Sequence, residues 1–116
     1  MTATFADYVS QQDARNTIQL NVTKWTLMLC DALKDAAPEG YDYIIESGNK
    51  YHKIVMIDCG GSRSVHAFVD KKTGEVYKSA SWKSPAKGVR YDLRLIEQRE
   101  WLLENADWAG GYLYQR

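Results

Sequence analysis

The sequence is short of the residues that chemistry usually needs. It has only two histidines and two cysteines in 116 residues, and 15 Lys plus Arg balance 15 Asp plus Glu, so it carries no net charge. Cys30 and Cys59 lie far apart, without CxxC spacing or nearby histidine ligands. That argues against a zinc site and for free thiols in a reducing compartment. A neutral chain is not a bulk polyanion binder, so a nucleic-acid role requires a local patch. The longest apolar run, Trp25 to Cys30, is far too short to span a bilayer. The N-terminal MTATFADYVSQQ is polar and includes an acid, unlike a signal peptide. The Asn21-Val22-Thr23 sequon then carries no weight, and the expected location is the cytoplasm. Walker and GxGxxG motifs and the alternating acids of a calcium loop are also missing. No metal site and no cofactor is expected.

What is present is globular: 45% of residues are hydrophobic and 26% charged, which suits one domain over residues 1–116. Ile18, Val22, Trp25, Leu29, Leu33 and Ala36 recur at helical spacing, widened by Met28 and Ala32, and predict a helix over 17–37. Pro38 and Gly40 end it. Residues 1–16 are weakly patterned; Thr4-Phe5-Ala6-Asp7 allows a short helix there.

Strands are predicted over 41–46, 50–59, 65–70 and 75–82, joined by short turns as an antiparallel meander. In Asp70-Lys71-Lys72-Thr73-Gly74-Glu75 the aspartate can accept loop amides and Gly74 can take a positive φ. A three-residue Gly60–Ser62 loop sets Ile57 opposite Val65 and Val55 opposite Ala67. Pairing Asp70 with Glu75 sets Val69 opposite Val76 and Val65 opposite Ala80. One dry face then carries Val55, Ile57, Val65, Ala67, Val69, Val76 and Ala80, suited to packing under helices. The other carries Ile54, Met56, His66, Phe68, Tyr77 and Ser79, which is amphipathic where a face in water would be polar, so something should cover it. A second helix is predicted over 92–106, with Leu95, Ile96, Leu102, Leu103 and Ala106 inward. The aromatic tail, 107–116, should dock on the domain, as an extra strand or on the second sheet face. The fold expected is α+β: helix, four-stranded antiparallel meander, helix, with both helices on one face of the sheet.

No catalytic constellation emerges. His52 opposite Asp70, with His66 and Cys59, is the material for a small enzyme, but no nucleophile–base pair can be placed. Cys59 beside Gly60-Gly61 would need Arg63 as an activating cation. The charge-biased segment is 78–94, where Lys78, Lys83, Lys87, Arg90 and Arg94 face one acid, Asp92, with Tyr77, Trp82 and Tyr91 interleaved. Cations that track phosphates beside aromatics that stack on bases are the equipment of single-strand binders. The candidate contacts are Lys83, Lys87, Arg90, Arg94, Trp82 and Tyr91, with Trp82 and Val89 anchoring the segment. A plain connector from strand to helix is the competing reading.

The hairpin FVDKKTGEVYK, the following SASWKSPAKGVRYDL and the tail Gly-Gly-Tyr-Leu-Tyr resemble small uncharacterised proteins of tailed bacteriophages, marine phages among them, and of phage-derived metagenomic sequences. The resemblance covers roughly residues 50–114. It implies an accessory, host-interaction or minor particle protein in an infected bacterial cell, and no activity. Three functions follow. The first is a binding module that forms a homodimer, or meets a host or phage protein, through Ile54, Met56, His66, Phe68 and Tyr77. The second is nucleic-acid binding through 78–94. The third is a small enzyme using His52, His66 and Asp70.

Overall fold

No glycine or proline interrupts residues 5–37, and nothing stops a helix once it has started there. In the computed structural model, which describes residues 5–114, this stretch is a single helix, α1 (Phe5–Ala36). Residues 5–16, weakly patterned in the sequence, are therefore part of the helix predicted to begin at 17; Thr4 lies outside the described residues. At 1.5 Å per residue α1 is about 48 Å long, and it sets the long axis of a molecule measuring 56 × 27 × 25 Å. Among the described side chains of α1, the buried ones lie in its C-terminal half. Val22, Thr26, Leu29, Cys30 and Leu33 are buried, whereas Ile18 is exposed and Leu20 is 70% exposed. Thr26 is tolerated inside because its hydroxyl donates to the Val22 carbonyl at 2.7 Å.

The remaining elements are β1 (Asp42–Ser47), β2 (Tyr51–Ile57), β3 (Arg63–Asp70), β4 (Glu75–Lys78), β5 (Tyr91–Asp92), α2 (Ile96–Asn105) and a 3-10 turn, Gly111–Leu113. The strands form one antiparallel sheet in sequence order. This is the expected α+β meander with a helix at each end, plus a fifth short strand taken from the segment predicted to be connector and helix. Residues 79–90 double back beside β4, with Ala86 N–H donating to Lys78 O and Arg90 N–H to Val76 O, and β5 pairs with β4. Helix α2 consequently starts at Ile96, later than predicted. Leu93 takes the inward position, while Leu95 and Ile96 stay exposed.

The pairing Val69–Val76 is found as expected. Asp70 Oδ1 accepts the Lys72 and Thr73 amides, and Gly74 sits at φ +76°. A methyl at Gly74 has room, since its nearest contacts are 3.5 Å away. Gly74→Ala therefore isolates the backbone cost of a left-handed residue, about 1–2 kcal/mol. Urea denaturation should show that loss with an unchanged m-value.

The β2–β3 register differs from the prediction. Asp58 Oδ1 accepts the Gly60 and Ser62 amides, and Gly61 adopts φ +85°. The loop is therefore Cys59–Gly61, closed by Asp58 N–H to Ser62 O, and not Gly60–Ser62. Ile57 pairs with Arg63, Val55 with Val65 and Ile54 with Ala67, the register shifting between Ile54 and Val55. His66 is the extra residue of that bulge. Ile54, Met56 and His66 thus turn to the helix side, where Ile54 joins a core with Leu29, Leu33, Tyr43, Ala67, Val69 and Val76. Val55, Ile57 and Val65 move to the opposite face with Phe68 and Tyr77. The tail docks on the helix side and not on the second face: Tyr112 and Leu113 are buried in the same core.

Candidate functional site

The sheet face away from the helices is covered by its own side chains. Phe68 lies at its centre and is only 2% exposed. Tyr51 meets Phe68 edge-on at 5.7 Å and Tyr77 at 5.9 Å between ring centroids. The turn after β4 brings Trp82 across the same face. There the Lys53 ammonium stands 4.7 Å and the Arg63 guanidinium 5.6 Å from its ring centroid. Lys53 also lies over Phe68 at 5.9 Å, and Lys50 over Tyr51 at 5.3 Å. Each contact sets a cation against a π-face, so the face is aromatic and electropositive together. A groove of about 370 Å³ beside it is lined in part by Lys50, Tyr51, Lys53, Phe68 and Lys83. Glu46 is the acid that answers this charge, through an ion pair with Arg63.

The elements explain the placement. Tyr51 and Lys53 alternate on β2 with buried His52 and Ile54, so they point away from the helices. Trp82 is held by a tight turn in which Ala80 and Ser81 N–H both donate to Ser84 O, and Ser81 Oγ accepts the Lys83 and Ser84 amides.

Of the residues predicted for phosphate contact, Lys83 and Lys87 are exposed and make no ion pair among the described residues. The others are engaged within the domain. Arg90 donates from Nε to Leu113 O and from Nη1 to Lys87 O and Gly88 O, which straps the tail to the loop. Arg94 is paired with Asp92 at 3.1 Å. Tyr91 stacks on Trp101 at 5.4 Å and donates its hydroxyl to Tyr112 O. Neither expected anchor is buried: Trp82 and Val89 are each 42% exposed. Of the predicted interaction face, Phe68 and Tyr77 belong to this platform, while Ile54, Met56 and His66 lie on the helix side. Lys50, Tyr51 and Lys53 were outside every predicted site and Arg63 was considered only as a cation beside Cys59, although the period-two placement of Tyr51, Lys53 and Arg63 on β2 and β3 was a usable signal once the register was right.

The enzyme candidates are not brought together. Asp70 pairs with Tyr51, and His52 with Val69, one position off the expected His52–Asp70 match. His52 Nδ1 lies 2.7 Å from Ser47 Oγ and Nε2 lies 3.2 Å from Thr23 Oγ1. The Thr23 hydroxyl is already spent on Gln19 O. Hence Nε2–H donates to Thr23 and Ser47 donates to Nδ1, which fixes one neutral tautomer. Burial, then Lys71, lowers the His52 pKa. His66 Nε2 instead bonds the Tyr112 hydroxyl at 2.7 Å, and burial lowers its pKa to about 4. Burial pushes the Cys30 thiol up to about 12. Cys59 is exposed, and the Arg63 invoked to activate it is turned to Glu46 and Trp82. Among the described residues no group of three or more His, Cys, Asp or Glu side chains is placed to hold a metal ion. No helix among them is long and apolar enough to cross a membrane.

No curated protein and no solved structure matches this chain. A family model described as "Family of unknown function (DUF7717)" matches residues 5–115, and the chain belongs to that family.

Proposed function

We propose that this protein is a non-enzymatic binding module whose outer sheet face takes single-stranded nucleic acid, in the phage-infected cell that the sequence resemblance implies. One observation carries the reading. Trp82 is 42% exposed on a sheet face and is flanked by Lys53 and Arg63, with Lys83 next to it in the chain. Aromatic rings on a sheet stack on unpaired bases, and cations around them meet the backbone phosphates. The basic segment contributes through Trp82, Lys83 and Lys87, and Arg90, Arg94 and Tyr91 hold that segment in shape.

A protein partner or a second copy on the same face is the competing reading, favoured by the half-buried Ile44, Ile57 and Val65 at its other end. A two-fold dimer there would set one cationic cluster against its copy, which costs affinity. Fluorescence anisotropy of a labelled oligonucleotide distinguishes the two. Single-stranded probe should bind at low salt, with log K falling against log salt at a slope of roughly −2 to −3 for three or four phosphate contacts. Lys53→Glu with Lys83→Glu should weaken it by at least about tenfold, and Trp82→Ala by a similar factor from lost stacking. Absence of binding, together with light scattering that reports a dimer abolished by the double variant, would reverse the order of the two readings.

A further inference from the structure

Helix α1 carries a seam on the side turned away from the sheet. Positions 6, 10, 13, 17, 20, 24, 27 and 31 follow one another at alternating steps of four and three, the period of a coiled-coil stripe. All eight side chains are exposed, Leu20 at 70% and Leu27 at 52%. Val22, Leu29 and Leu33, which join α1 to the core, lie on nearly the opposite side of the helix. None of the described α1 side chains before Val22 is buried. We propose that this seam is an interface for a second copy of the chain, with the two α1 helices antiparallel about a two-fold axis between residues 18 and 19.

The charges select that occupant and its direction. About such an axis the numbers of facing residues sum to 37, and every member of the seam faces another member. Asp13 meets Lys24 on each side of the axis. Neither makes an ion pair among the described residues, so both are available to a partner. Parallel helices would instead set Asp13 against Asp13 and Lys24 against Lys24, which repels. A charged residue within a seam costs stability, but it specifies register and direction.

The remaining pairs fit the same register. Leu20 meets Thr17, whose hydroxyl donates to the Asp13 carbonyl at 2.9 Å and so needs nothing from the partner. Leu27 meets Ser10, a large side chain against a small one. Asp31 meets the first turn of the partner helix at Ala6, where the helix dipole favours an acid. From residue 6 to residue 31 the seam runs about 38 Å. Each N-terminal half of α1, which buries none of its described side chains, then lies along the half of its partner that reaches the core. The two sheets sit outward of the helix pair, so the domains do not collide. Only Leu20 and Leu27 of each copy supply large apolar area, which places the contact among small, weak interfaces.

The seam stands on different residues from the Trp82 platform, and the test keeps the two apart. Sedimentation equilibrium of the full chain, from about 20 to about 500 µM, should report a monomer–dimer equilibrium with Kd of about 100 µM. Asp13→Lys alone and Lys24→Asp alone should each weaken the dimer about tenfold or more, because two facing pairs turn repulsive at once. The two substitutions together make the facing charges opposite again and should restore it. Leu20→Glu should weaken it by a similar factor. In dilute protein that variant should keep the urea midpoint, since a side chain 70% exposed has little to lose in the monomer. Lys53→Glu with Lys83→Glu should leave the dimer intact. A monomer throughout, a dimer indifferent to Asp13→Lys, a dimer that the paired substitution does not restore, or one lost with Lys53→Glu and Lys83→Glu would each overturn the assignment.

Discussion

Phe68→Ala should lower the unfolding free energy by about 3–5 kcal/mol, although Phe68 points away from both helices. A ring on the outer face of a single sheet would ordinarily be half wet, and its truncation would cost little. Here the ring is 2% exposed, with Tyr51 edge-on to it, Tyr77 opposite it on β4 and the Lys53 ammonium over its face. Removing it leaves a cavity beneath a cover that is itself held by cation–π and edge-on contacts, so the surroundings cannot collapse at no cost. For a domain of this size the loss corresponds to a fall in melting temperature of roughly 10–20 °C, read by circular dichroism. Trp82→Ala should cost about 1 kcal/mol by itself, as the ring is already 42% exposed. Both residues touch Lys53, so their effects should be non-additive by at least about 0.5 kcal/mol in a double-mutant cycle. A loss under about 1 kcal/mol for Phe68→Ala would show an open sheet face in place of this second small core.

What could be read ahead of the structure followed the strength of local signals. Asp70 and Gly74 dictate their hairpin within six residues, and the Val69–Val76 pairing came out of that alone. The Cys59–Gly61 loop has two adjacent glycines, and either could carry the positive φ. Asp58 settles it in favour of Gly61 by capturing the Gly60 and Ser62 amides. That difference resets the partners by two residues, and the bulge at His66 sets Val55, Ile57 and Val65 on one face and Ile54 and Met56 on the other. No periodicity in β3 announces the bulge, because it is a response to pairing with β2. The N-terminal half of α1 escaped the pattern for another reason. A helix carried forward from a packed half needs no apolar stripe, only the absence of breakers. The candidate site was half legible: the charge bias drew attention to Trp82 and Lys83, but the cations that stack on Trp82, Lys53 and Arg63, come from strands far from it in sequence.

Stability should fall as pH drops from about 7 to 4, and His66 should account for about 3 kcal/mol of the change. Its pKa is lowered from 6.5 to about 4 in the folded chain, mainly by burial, with Asp107 opposing. Between those values the unfolded chain takes up a proton at this position and the folded chain does not. The unfolded state is thus favoured progressively as pH falls through the window, and below about 4 both forms are charged and the loss is complete. His52 is lowered too, by burial and Lys71, and adds a loss of the same sign. The cost at His66 is local in origin. Its ring lies edge-on to Tyr43 at 5.7 Å and against Tyr112 at 5.6 Å, so a charged imidazolium has little but aromatic surface and the Tyr112 hydroxyl to meet it. Relief comes from releasing the tail, which Tyr112 and Leu113 otherwise anchor in the core. Hydrogen exchange at the Leu113 amide, bonded to Gly110 O at 3.1 Å, should therefore lose protection at a higher pH than the β2–β3 amides. His66→Gln keeps a hydrogen-bonding partner for Tyr112 and cannot titrate. It should flatten the urea midpoint against pH over this window, leaving the slope from His52. An unchanged pH profile in that variant would place the acid sensitivity elsewhere, and simultaneous loss of protection at Leu113 and the central strands would show that the tail does not open first.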